Sequence, residues 1–75
     1  MMQTLNQMPK SAEVLIEDIT DSSVKEQLVS MGFTIGSKVK VVSKLPFKGA
    51  IAIESDYTRV AIRATDASFV VVSNS

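Results

Sequence analysis

Apolar residues recur along this chain with two periods, and the change of period marks out its elements. From Lys38 to Leu45 the alternation is two: Val39, Val41, Ser43 and Leu45 point one way, and Lys38, Lys40, Val42 and Lys44 the other. That is the signature of a half-buried antiparallel strand. Ile51 and Ile53 repeat it against outward Ala50 and Ala52, and Val60 and Ile62 repeat it against outward Arg59, Ala61 and Arg63. Glu13-Val14-Leu15-Ile16-Glu17 reads as a first strand and Ser68 to Ser73 as a last one. Between them the period lengthens. Val24, Leu28 and Met31, at i, i+4 and i+7, form one stripe of a short helix. Ser23 with Glu26 three residues on makes a capping box, and Gly32 stands where a helix stop belongs.

The punctuation between these runs is specific. Leu45-Pro46-Phe47-Lys48-Gly49-Ala50-Ile51 is a bend in which Pro46 fixes φ, Gly49 can take φ > 0 and Phe47 offers a large apolar surface at a strand junction. Glu54 to Thr58 supplies a hairpin loop, and Ala64 to Ala67 a short turn. Residues 1–11 are polar with scattered Met and Leu5, and Pro9 interrupts any helix, so they read as a flexible lead-in to a domain spanning residues 12–73. Five short strands and one helix in so few residues cover both faces best by curling closed, which also removes exposed strand edges. The expected fold is therefore mainly β, a small barrel of about five antiparallel strands with one short helix inserted after the first.

Composition narrows the chemistry. At 75 residues the chain makes one domain, and 45% hydrophobic against 21% charged residues is enough apolar matter for a thin core. There is no Cys and no His, which removes disulfides and the side chains of most zinc and transition-metal sites. Any metal would have to be held by carboxylates, and neither a metal site nor a cofactor is expected. No serine has a visible base beside it, and no glycine-rich loop opens a helix in phosphate-binding fashion, so an enzyme is not expected either. No basic segment followed by a long apolar run marks a signal peptide or membrane span, which makes the cytoplasm the expected location. Formal charge is zero but unevenly spread. Residues 11–36 set Lys25 against Glu13, Glu17, Asp18, Asp21 and Glu26, whereas residues 37–63 set six cations against Glu54 and Asp56.

Three segments carry a resemblance. Met31-Gly32-Phe33-Thr34-Ile35-Gly36-Ser37-Lys38-Val39, the Leu45 to Ile51 bend, and Val60 to Val71 with its Ile62-Arg63-Ala64-Thr65-Asp66-Ala67 core are similar, in order and spacing, to the three signature segments of FeoA-like domains. Ala50 stands where the family usually has a second Pro, Lys10 where a Gly often follows the first apolar residues, and Asp56-Tyr57 where the hairpin often carries a Gly. The resemblance implies an SH3-like barrel serving bacterial ferrous-iron uptake as a small cytoplasmic accessory of the FeoB permease, a membrane protein with a GTP-binding domain. The same module also closes iron-dependent repressors. A chain without a DNA-binding helical domain fits the transport accessory better.

Within that expectation Leu28, Met31, Phe33 and Phe47 are the candidate partner-binding residues, because Met and aromatic side chains adapt to a groove and dominate interface energetics. The competing reading makes Leu28 and Met31 the inner face of the helix and Phe47 a lid on the barrel end. Lys38, Lys40, Lys44, Arg59 and Arg63 share outward parity and could form a basic face, with Tyr57 as the one nearby ring. A net charge of zero argues against nucleic acid as the partner. Glu17, Asp18 and Asp21 cluster just before the helix, where its dipole stabilises acids without any ligand.

Overall fold

The order of elements follows the two periods, with additions at both ends. A computed structural model describes residues 2–45 and 49–74, so the Pro46-Phe47-Lys48 part of the bend lies outside the described residues. Strand β1 (Gln3–Thr4) leads through a single 3-10 turn (Leu5–Gln7) to β2 (Glu13–Ile19) and helix α1 (Ser22–Ser30). Strands β3 (Lys38–Leu45), β4 (Ala50–Glu54) and β5 (Arg59–Arg63) follow, then a four-residue helix α2 (Ala64–Ala67) and β6 (Val70–Asn74). The strands form one antiparallel sheet in the order β1-β6-β2-β3-β4-β5. With principal extents of 26 × 26 × 24 Å the sheet is curled rather than flat, making a small SH3-like barrel around one core.

Residues 1–11 are not the loose lead-in that their polarity suggests. Gln3 and Thr4 pair with Val72 and Val71 of β6, which makes a sixth strand. Leu5 is 0% and Met8 5% exposed, so this segment supplies two of the core side chains and closes one end of the barrel. The physical reason is that a barrel of five short strands leaves one mouth open, and two apolar side chains three residues apart suffice to plug it. Beyond them Ser11 adopts φ 76°, and its N–H donates to the Val41 carbonyl at 2.7 Å, extending the pairing of β2 with β3.

Two bulges decide which side chains face inward. In β2 the register shifts between Ile16 and Asp18, so Glu17 and Asp18 are both exposed while Ile19 returns to the core. In β3 it shifts between Val41 and Ser43, which makes Val42 the extra residue and inverts the parity of everything after it. Val39 and Val41 are buried as the alternation predicts, but Ser43 pairs with Ala52 and Lys44 with buried Ile51. Lys44 is thereby removed from the outward row. Its ammonium reaches across the barrel mouth and donates to the carbonyls of Asn6 (3.1 Å) and Met8 (2.8 Å), satisfying the end of the 3-10 turn.

Helix α1 is capped two residues earlier than its Ser23–Glu26 pattern suggests. Asp21 is the N-cap: its carboxylate accepts from the Val24 N–H at 3.0 Å and its carbonyl from the Lys25 N–H at 2.9 Å. The far end stops where Gly32 places it. Gly32 has φ 91°, its N–H donates to the Val29 carbonyl at 3.0 Å, and the Phe33 N–H donates to the Leu28 carbonyl at 2.9 Å. This is a Schellman closure, completed by the apolar pair it brings together, Leu28 and Phe33.

Candidate docking surface

The Schellman closure sorts the candidate residues into two groups. Leu28 (1% exposed) and Phe33 (0%) turn into the core, where they pack with Val24 and the inward side chains of the sheet. They offer no surface to another molecule, which corrects their place among the partner-binding candidates. Met31 is half-buried and packs against the core from outside, keeping part of its side chain at the surface. Phe47 lies outside the described residues.

What the helix end does present comes from residues that the sequence pattern passed over. Val29, on the outer side of α1, is 45% exposed, and Ile35 is 46% exposed in the turn after it. That turn is held rigid. Gly36 takes φ 92° and donates to the Ile16 carbonyl at 2.7 Å, the Ser37 N–H donates to the Thr34 carbonyl at 3.0 Å, and Ser37 Oγ accepts from the Thr34 N–H at 2.9 Å. An apolar side chain on a fixed turn between two positive-φ glycines is the signal that identifies Ile35: nothing in the local pattern buries it. Tyr57, at the tip of the β4–β5 hairpin, is 96% exposed.

A groove runs between the turn after α1 and the β4–β5 hairpin. Gly32, Ser37 and Lys38 form one wall and Ser55, Asp56 and Tyr57 the other, enclosing about 210 Å³. A second groove of about 230 Å³ continues from it along Glu13, Lys38, Lys40, Glu54 and Asp56. Lys38 and Asp56 stand on the walls of both. The result is a shallow concavity flanked by the Tyr57 ring, leading toward the apolar end of α1.

The basic face expected from the outward parity of Lys38, Lys40, Lys44, Arg59 and Arg63 does not assemble. Register places Glu13, Lys40, Glu54 and Arg59 in one row across β2, β3, β4 and β5, so charge alternates from strand to strand. Arg59 Nη2 lies 2.8 Å from Glu54 Oε2, and Arg63 Nε lies 3.3 Å from Asp66 Oδ2. Lys44 faces the other way. Lys38, opposite Leu15, and Arg63, opposite Ala50, have no carboxylate in those register positions, and Arg63 turns to Asp66 of α2 instead.

The three acids before the helix each have a local partner: Asp21 caps α1, Asp18 accepts from the Ile19 N–H at 2.8 Å, and Glu17 accepts from the Ser73 hydroxyl. Among the described residues no three carboxylates gather where one metal ion could be shared. The arrangement is suited to binding by shape and charge. Among the described residues no helix is long and apolar enough to cross a membrane.

The FeoA domain family model matches residues 3–74. Among solved structures, the crystal structure of an iron uptake regulatory protein, FeoA, is similar over 97% of this chain and 96% of its own, at 28% identity and TM-score 0.85. The solution structure of a FeoA-like protein from Clostridium acetobutylicum is similar over 97% of this chain and 86% of its own, at 20% identity and TM-score 0.85. A manganese-dependent transcriptional repressor shares the fold at TM-score 0.90 and 18% identity, with 99% of this chain spanning 42% of the repressor. Among curated protein sequences none matches.

Proposed function

This chain belongs to the FeoA family, and on that premise we propose that it is a non-enzymatic, cytoplasmic accessory of ferrous-iron uptake that acts by docking onto a FeoB-like permease with a GTP-binding domain. The observation that carries the docking reading is the exposure of Tyr57 on the wall of a groove whose other wall, Gly32 to Lys38, adjoins the exposed Val29 at the end of α1 and the exposed Ile35 on its fixed turn. The turn that carries Ile35 is already fixed by its hydrogen bonds, so docking there costs little backbone freedom. Charged residues ring these side chains, as at the rim of a transient interface. By differential affinity for two states of the permease, such a surface shifts its partner between them without chemistry of its own.

The alternative, a barrel that binds nucleic acid or serves as a module of an iron-dependent regulator, has less support. Phosphate neutralisation needs an unopposed cationic field, and here Arg59 and Arg63 hold carboxylates while Lys40 sits in register between Glu13 and Glu54.

Capture of the detergent-solubilised permease by the tagged chain tests the proposal. Met31 packs on the core, so a charge there would strike folding and docking together. Ile35→Asp and Tyr57→Ala are cleaner, since both side chains stand in solvent. Each is expected to weaken capture by about tenfold or more, as loss of an interface anchor does, with an unchanged unfolding midpoint. Undiminished capture by the double variant would overturn this surface, and failure of the parent chain to capture the permease would overturn docking itself.

A further inference from the structure

Strand β5 ends the sheet, and its hydrogen-bonding parity is determined. The Ser55 N–H donates to the Thr58 carbonyl and the Ala64 N–H to the Gly49 carbonyl. Bonded pairs in an antiparallel ladder recur every second residue. Ile53 with Val60 and Ile51 with Ile62 are therefore the bonded pairs between β4 and β5. It follows that the N–H and C=O groups of Arg59, Ala61 and Arg63 point away from β4, to the open side. Among the described residues the N–H groups of all three and the C=O groups of Arg59 and Ala61 have no backbone or side-chain partner outside the ladder, while the Arg63 C=O, at the N-cap of α2, takes the first helical bond. Val60, next to them on the inner face, is half-buried, so the edge of the core is open there as well.

We propose that β5 is a seat for strand addition by an extended protein segment carrying carboxylates four residues apart. The charges select that occupant. Arg59 and Arg63 stand at the two ends of β5 on the outer face, with side chains 67% and 79% exposed. Arg59 engages only Oε2 of Glu54, and Arg63 meets Asp66 through Nε alone, so each guanidinium keeps donors free. A strand laid antiparallel to β5 brings one acid opposite each arginine, a small residue opposite Ala61, and two apolar residues over Ile62 and Val60. A second copy of this chain is disfavoured in the same seat: antiparallel pairing about Ala61 sets Arg59 against Arg63 of the other copy, and like charges directly opposite repel. The proposal rests on the docking reading only in that the segment would belong to a protein partner; the seat itself is independent of the Tyr57 groove.

The test is titration of the isotope-labelled chain with the peptide Thr-Glu-Val-Thr-Val-Glu-Thr, followed through backbone amide resonances. The amides of residues 59–63 are expected to shift and to exchange more slowly. The same peptide with both glutamates replaced by lysine, or N-methylated at its central threonine, is expected to bind at least tenfold more weakly. The Arg59→Glu, Arg63→Glu double variant, whose exposed ion pairs carry little stability, is expected to reverse the preference toward the lysine peptide. Equal response to the two charged peptides, or no response at residues 59–63, would overturn the proposal. Shifts confined to residues 29–37 and 55–57 would also overturn it while leaving the docking surface standing. Concentration-dependent shifts of residues 59–63 without peptide would overturn it in favour of self-pairing.

Discussion

Phe33 is the residue at which packing and partner binding are most easily confused, and the structure separates them by magnitude. Its ring is wholly buried beside Leu28, whose carbonyl accepts from its N–H. Truncation of such a ring removes its transfer free energy and leaves a cavity, together about 3–5 kcal/mol. A domain of this size has a total stability of about 4–11 kcal/mol, at roughly 0.05–0.15 kcal/mol per residue. Phe33→Ala is therefore expected to consume about a third of the stability or more, and Phe33→Leu a smaller part, about 1–2 kcal/mol, because most of the volume is retained. Urea unfolding monitored by far-ultraviolet circular dichroism reads both. With a slope of about 1–1.5 kcal/mol/M, the Ala variant should unfold about 2–5 M earlier than the parent. Any loss of permease capture in Phe33→Ala should then follow the folded fraction and be recovered in Phe33→Leu. A Phe33→Ala chain that kept its urea midpoint within 0.5 M, about the limit of a surface substitution, would refute the burial argument and return Phe33 to the docking surface.

Two further outcomes follow from the caps. Asp21→Ala should lower stability by about 1 kcal/mol and Asp21→Asn by only a few tenths, since Asn caps nearly as well; equal losses in urea unfolding would show that the carboxylate does not cap α1. Lys44→Met should cost about 1–2 kcal/mol by freeing the carbonyls of Asn6 and Met8, and amide exchange should rise first in residues 3–8; uniform exchange across the sheet would contradict that latch.

The sequence alone determines the local elements, because their causes are local. Alternation fixes Val39, Val41, Ile51, Ile53 and Ile62 as inward residues; spacing fixes the Val24 and Leu28 stripe; and Gly32 fixes the end of α1, since only a residue free to adopt positive φ continues the chain from there. The mainly β barrel follows from those elements, and the segments around Gly32, Gly49 and Arg63 mark the family. Tertiary structure decides whatever depends on a partner distant in sequence. Residues 3–8 become strand and core only because β6 and the barrel mouth receive them, which no local pattern encodes. Lys44 leaves the outward cations because one extra residue at Val42 inverts the strand, and a bulge is a property of the pairing rather than of either strand. Arg59 and Arg63 belong to an open edge only because the sheet ends at β5. Leu28 and Phe33 were legible as apolar, but that they clasp each other in the core, leaving Val29 and Ile35 outside, was settled by the direction in which Gly32 turns the chain.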